Sequence, residues 1–147
     1  MRTVYRVEHP VTECGPYQTR NNKAACQCPG VESVSFVDLY DDHEEDCLGA
    51  ALTRLAEDLC DSHWDGDHPT PNVDGIEESF RYLDQGYVCG FDDLDILREW
   101  FEGWIPDLIA LGFEIVALTV SEEHIAWGCL QVLVDPSRVE VREVVAA

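Results

Sequence analysis

The fold is indicated most clearly by residues 90–120, which read GFDDLDILREWFEGWIPDLIALGFEIVALTV. Apolar residues recur at helical spacing and predict a helix over Asp93–Trp104. Asp92 or Asp93 is suited to cap its beginning. A further helical turn is predicted over Asp107–Leu111, because a proline precedes it and a glycine follows it. The segment then becomes rich in β-branched residues, so helices followed by a strand are expected here.

Strands are predicted on both sides of this segment. Alternating or β-branched runs indicate strands at Thr3–His9, Val31–Tyr40, Phe113–Val120, Cys129–Val134 and Arg138–Val144. Consecutive strands joined by short connections are typical of antiparallel pairing.

Two more helices are expected between these strands. Leucines at spacings of four and three predict a helix over Asp46–Ser62, and a shorter one is expected over Ile76–Gln85 with Phe80 and Leu83 inward. The order of elements predicts an α+β fold with a mostly antiparallel sheet and two to four helices. A length of 147 residues predicts one domain over residues 1–147.

Acidic side chains dominate the composition. The chain has 30 Asp and Glu against 9 Lys and Arg, which gives a net charge of −21. Residues 1–40 are neutral, so the whole excess follows Tyr40. Direct binding to nucleic acid is therefore not expected, because phosphate contacts need Lys and Arg.

The charge has the size of that on a DNA segment. A domain of this length is about 38 Å across, and about 36 Å of duplex carries roughly 21 charges. A protein with this charge is attracted to basic grooves that normally hold phosphates. A solvated face, or adaptation to high salt, explains the same composition without a partner. The candidate partner-binding residues are Asp41, Asp42, Glu44, Glu45, Asp46, Glu57, Asp58, Asp61, Asp92, Asp93, Asp95, Glu99 and Glu102.

Three cysteine and histidine residues suggest zinc binding as an alternative to acidic mimicry. Cys60, His63 and His68 are spaced so that they could bind zinc and make the protein a zinc-stabilised interaction module, although the spacing is not that of a standard zinc finger. A polar loop with surface histidines explains the same residues. No catalytic residue, metal or other cofactor is predicted.

The chain has seven cysteines, and this odd number favours free thiols. The absence of an apolar leader or membrane span predicts a cytoplasmic protein.

Several short motifs together resemble a family of small proteins of phages and prophages, notably those of actinobacteria. The motifs are Val4–Glu8 with Gly15–Tyr17, His68–Pro71 with Asp74, Cys89–Phe91 with Leu97 and Trp100–Phe101, Gly112–Phe113, and Gln131–Val132 with Asp135. The resemblance implies a phage origin. By analogy with other small acidic phage proteins, it also favours an inhibitor of host defence, such as an anti-CRISPR protein or a DNA mimic.

A weaker resemblance is to ADP-ribosyltransferase folds, which place an aromatic residue or His and an Arg on an early strand. Tyr5 and Arg6 stand at that place, and Gln131 stands where the family has its late catalytic glutamate. This resemblance implies an enzyme of that class or a degenerate relative. The favoured hypothesis remains an acidic inhibitor that blocks a basic, nucleic-acid-binding host protein or defence complex.

Overall fold

The computed structural model describes residues 1–18, 47–63 and 66–145. The predicted strand Val31–Tyr40 and the acidic run Asp41–Asp46 lie outside these residues. No helix within the described ranges is long and apolar enough to cross a membrane.

Helices and strands alternate irregularly along the chain. The strands are β1 (Arg2–Glu8), β2 (Val88–Gly90), β3 (Glu114–Val120), β4 (Ile125–Trp127), β5 (Val132–Val134) and β6 (Val141–Val145). The helices are α1 (Leu48–Ser62), α2 (Ser79–Asp84), α3 (Leu94–Trp100) and α4 (Ile105–Ala110). Short 3-10 helices cover Glu122–His124 and Pro136–Arg138.

The described strands form two three-stranded sheets. One has the order β1-β3-β6 and the other β2-β5-β4. The β3–β6, β2–β5 and β4–β5 pairs are antiparallel, with Val116 opposite Val144 and Leu133 opposite both Cys89 and Ala126. The predicted α+β class with mostly antiparallel pairing is confirmed.

The described chain forms two compact units. The first comprises Met1–Val7, Asp65–Ile105 and Ile115–Ala147, and the second comprises Glu8–Trp64 and Pro106–Glu114. That all 147 residues act as one domain stays a prediction.

Aliphatic side chains from both sheets form the core of the first unit. The members of this cluster are Val4, Val116, Leu118, Val120, Ile125, Val132 and Val134. A smaller cluster of Ile76, Ala126 and Leu133 is covered by Tyr82 and Tyr87. Burial of these branched side chains stabilises the sheets, at about 1.5–3 kcal/mol for each fully buried large residue.

Gly90 lets β2 approach β1 closely. A Cβ at this position would lie 2.5 Å from Cγ1 of Val4 and 3.0 Å from the backbone oxygen of Tyr5. Directly after β2, Phe91 exchanges two backbone hydrogen bonds with Tyr5, at 2.7 and 2.8 Å. Gly90 is therefore required by packing at this contact.

The second unit is built on α1, whose leucines at positions 52, 55 and 59 are buried as their spacing predicts.

His9 is a buried polar residue of the same unit and is 2% exposed. Its Nδ1 accepts from the Val11 amide at 3.2 Å, so its Nε2–H donates to the Leu111 carbonyl at 2.9 Å. The ring also packs edge-on against Phe113. These contacts fix the turn that follows α4.

Two expectations about α2 and α3 are corrected. Phe80 and Leu83 were expected to point inward, yet they are 66% and 43% exposed. The inward positions of α2 are instead held by the buried Ser79 and by Tyr82 of the smaller core cluster. The predicted helix Asp93–Trp104 ends at Trp100, and turns follow it.

Short elements also differ from expectation. The strands β2 and β4 have three residues each and were not predicted. Among the cysteines, Cys89 and Cys129 are exposed. None of the five cysteines in the described ranges forms a disulfide, which agrees with the expectation of thiols.

Candidate functional site

An acidic surface surrounds α3. Five carboxylates occur between residues 92 and 102, with Arg98 as the single base in that segment. All five acidic residues are exposed. We refer to Asp92, Asp93, Asp95, Glu99 and Glu102 as the α3 acidic surface. Within the described residues, no ion pair involves Asp95, Glu99 or Glu102, so their charge is presented to solvent.

Two of these aspartates have a local structural role. The side chain of Asp93 accepts hydrogen bonds from the amides of Asp95 at 2.7 Å and Ile96 at 3.4 Å, which makes it the N-cap of α3. Asp95 lies in the first turn, where negative charge is favourable beside the positive end of the helix dipole. Helix stability therefore explains Asp93 and Asp95 in part.

The glutamates of the surface have no such explanation. Glu99 lies in the last turn of α3, where the helix dipole disfavours negative charge. Glu102 was expected on the same helix face, but α3 ends at Trp100, and Glu102 lies in the following turn with its amide donating to the Glu99 carbonyl at 3.2 Å. Glu99 therefore costs helix stability modestly, and Glu102 has no part in the helix.

The second unit carries its own acidic set at the end of α1. Glu57 is half-buried, whereas Asp58 and Asp61 are exposed. No basic residue lies in the last turn of this helix, so Asp61, which lies in that turn, also opposes the dipole preference. Burial raises the pKa of the Cys60 thiol, and the neighbouring carboxylates of Asp61 and Glu57 raise it further.

The remaining candidate acids cannot be placed on either surface. They are Asp41, Asp42, Glu44, Glu45 and Asp46, which lie outside the described residues. Their part in a binding surface stays a prediction.

The residues suggested by the ADP-ribosyltransferase resemblance are held by backbone contacts. Arg6 is 4% exposed and donates to the Cys89 carbonyl at 2.8 Å. Gln131 is 3% exposed, and its Nε2 donates to the Pro69 carbonyl at 2.6 Å. Tyr5 is half-buried and its backbone bridges to Phe91. These contacts give Arg6 and Gln131 structural roles, and nothing found supports the transferase resemblance.

The suggested zinc ligands also have other contacts. The His63 Nδ1 is hydrogen-bonded to the Tyr17 hydroxyl, and the His68 Nε2 to the Trp100 carbonyl at 3.0 Å. Within residues 1–18, 47–63 and 66–145, no three His, Cys, Asp or Glu side chains come together as metal ligands. Cys60 is half-buried on α1.

A buried carboxylate was missed from the sequence. Asp74 is 4% exposed, and its side chain accepts from the amides of Leu130 at 2.9–3.0 Å and Gln131 at 2.8 Å. Its own carbonyl accepts from the Cys129 amide at 2.9 Å. Gly128 passes so close that a Cβ there would lie 2.5 Å from the Asp74 carboxylate. We call this the Asp74 network.

The Asp74 network explains some of the quoted motifs. His68–Pro71, Asp74 and Gln131 carried part of the phage-family resemblance. Asp74 and the Pro69 carbonyl tie the loop to the turn after β4, while His68 contacts the Trp100 carbonyl. No signal in the sequence separates Asp74 from an ordinary turn aspartate, because Asp before Gly is common in turns. These motif residues therefore have structural contacts, and the role of the exposed acids in partner binding stays a prediction.

The comparisons with known proteins agree with the phage part of the resemblance. The family model described as "Bacteriophage T4 Y00F protein" matches residues 1–146. No curated protein and no solved structure matches the chain. Because the match spans nearly all 147 residues, the chain belongs to the bacteriophage T4 Y00F protein family and is a small phage protein.

Proposed function

We propose that this phage protein is an inhibitor that binds and blocks a basic, nucleic-acid-handling protein of the host. In this proposal its carboxylates occupy positions that phosphates of DNA otherwise fill, and it acts in the host cytoplasm. A defence complex, including a CRISPR effector, is the kind of target expected. No direct contact with nucleic acid is part of the mechanism.

The α3 acidic surface is the observation that carries the proposal. Five exposed carboxylates with one base give residues 92–102 a local charge of −4, from 1 − 5. Glu99 stands where the helix dipole disfavours it, and Glu102 lies outside the helix, so helix stability accounts for neither of them. Charge-assisted hydrogen bonds from Arg and Lys to carboxylates are stronger than neutral ones, which suits this surface to a basic groove.

The net charge supports the same proposal over longer distances. A charge of −21 attracts a basic partner before contact and increases the association rate at low ionic strength. Added salt shortens the Debye length from about 10 Å at 0.1 M to about 3 Å at 1 M. Binding by this mechanism must therefore weaken strongly when salt is added.

Capture from a host lysate, followed by elution with short duplex DNA, tests this proposal. If the protein occupies a phosphate-binding groove, duplex DNA displaces it, and the released host protein binds DNA by itself. The captured protein should bind wild type about tenfold more tightly than the triple variant Asp95→Asn, Glu99→Gln and Glu102→Gln at low salt.

The matched control changes the same number of exposed carboxylates elsewhere in the first unit. Glu123→Gln, Glu140→Gln and Glu143→Gln together remove three charges from exposed positions outside the α3 acidic surface. If both triple variants weaken binding equally, only the total charge matters. If neither weakens it, or if duplex DNA releases nothing, the proposal is wrong.

A further inference from the structure

The outer face of α2 carries two large apolar side chains that the fold leaves uncovered. Phe80 is 66% exposed and Leu83 is 43% exposed, and they lie one helical turn apart. Residues three apart on a helix are neighbours on its surface. Phe80 and Leu83 therefore form one apolar face, which we call the α2 apolar face.

The first unit does not need this face for its own packing. The opposite side of α2 supplies the buried Ser79 and the partly buried Tyr82, which packs with Tyr87 on the smaller core cluster. Burial of a phenylalanine or leucine side chain is favourable by a large amount. A partner that covers Phe80 and Leu83 gains this burial free energy without any rearrangement of the core.

The residues around the face select the charge of that partner. Glu77, Glu78 and Asp84 are exposed beside it, and Arg81 is held by Glu78 at 3.2 Å. The segment 77–84 therefore has a net charge of −2, from 1 − 3. A second copy of this chain is disfavoured as the occupant, because two bodies of charge −21 repel each other.

We infer that the α2 apolar face is a docking site for a segment of the target protein that combines an apolar anchor with flanking Lys or Arg. The inference rests on the proposed function, which supplies the basic partner. Aromatic anchors at the centre of an interface contribute most of its affinity, whereas exposed charges mainly increase the association rate. Phe80 and Leu83 thus hold the target that the acidic surfaces attract.

Two synthetic peptides of equal positive charge test this inference. One is an amphipathic Lys/Leu peptide, and the other is the same peptide with every Leu replaced by Ser. Wild type should bind the Lys/Leu peptide about tenfold more tightly than the Lys/Ser peptide, which corresponds to about 1.4 kcal/mol. This preference should persist at 1 M salt, because apolar contacts are not screened.

The variant Phe80→Ser with Leu83→Ser should lose most of that preference. A matched control is Ile109→Ser with Val144→Ser, since Ile109 and Val144 are 44% and 59% exposed on other elements. The control should keep the preference. All four side chains are exposed, so both variants should melt close to wild type, and circular dichroism checks this.

The outcomes separate the inference from the proposed function. If the Phe80 and Leu83 variant keeps the wild-type preference, or wild type has none, the docking inference is wrong while salt-sensitive binding of both peptides still agrees with the proposed function. If neither peptide binds even at low salt, the proposed function fails as well. If the triple amide variant of the α3 acidic surface weakens both peptides equally, attraction and anchoring are separate, as inferred.

Discussion

Replacement of Asp74 by alanine tests the structural account of the first unit. The change removes a buried carboxylate that accepts hydrogen bonds from two backbone amides, those of Leu130 and Gln131. A hydrogen bond to a charged group contributes about 1.5–3 kcal/mol. Water can replace the lost acceptor at Leu130, which is 38% exposed, but not at Gln131, which is 3% exposed. The expected loss is therefore about 3 kcal/mol.

A thermal melt measures this loss directly. About 3 kcal/mol corresponds to a decrease in Tm of about 6–12 °C for a chain of this size. Asp84→Ala is the matched control, because it removes the same charge from an exposed position at the end of α2. Amide hydrogen exchange at Leu130 and Gln131 should become faster only in the Asp74 variant. A Tm within about 1 °C of wild type, with unchanged exchange, would refute the assigned role of Asp74.

Three further predictions concern Gly90, Asp93 and Cys60. Gly90→Ala should lower stability by about 1–3 kcal/mol in a denaturant titration, because its Cβ meets Val4 and the Tyr5 carbonyl; unchanged stability would contradict the close approach of β2 to β1. Asp93→Ala should cost about 1 kcal/mol in the same titration, while Asp93→Ser, which can still cap α3, should cost little; equal losses would contradict the capping role. Alkylation of Cys60, followed by mass spectrometry across a pH series, should have its midpoint above the ordinary thiol pKa of about 8.5, because burial and nearby carboxylates raise the pKa of Cys60. The folded state holds this proton more tightly than the unfolded chain, so stability should also fall as pH rises above that value; a midpoint at or below the ordinary thiol pKa would contradict both statements.

Long periodic segments could be predicted from the sequence because their pattern repeats over several turns or strand residues. The leucines of α1 and the strand β3 are of this kind. The cap of α3, expected at Asp92 or Asp93 and found at Asp93, follows from a local residue preference. For α2 the pattern was too short to define a face. This helix has six residues, so either side could have been read as apolar, and the structure buries the Tyr82 side rather than Phe80 and Leu83.

Contacts between distant residues could not be predicted in the same way. Asp74 accepts from an amide 57 positions later in the chain, and Arg6 donates to a carbonyl 83 positions later. Local sequence contains no signal for such pairs. The strands β2 and β4 have three residues each, and each is held in place by pairing with β5, so neither has a pattern of its own.

The exposure of the candidate acids was easier to predict than the packing, because it depends on charge rather than on distant contacts. The positions of Asp92, Asp95 and Glu99 on the surface follow from their charge alone. The end of α3 at Trp100, and with it the place of Glu102 in a turn, could not be read from the helical spacing.

Displacement by duplex DNA tests electrostatic mimicry most directly. The host protein captured by wild type is titrated with short duplex DNA while it is held on the immobilised phage protein. If the carboxylates replace DNA phosphates, DNA releases the host protein. The Asp95, Glu99 and Glu102 amide variant should then retain it more weakly, and the Glu123, Glu140 and Glu143 control should retain it about as well as wild type. A captured host protein that stays bound in excess DNA, and equally to all three forms, would contradict electrostatic mimicry.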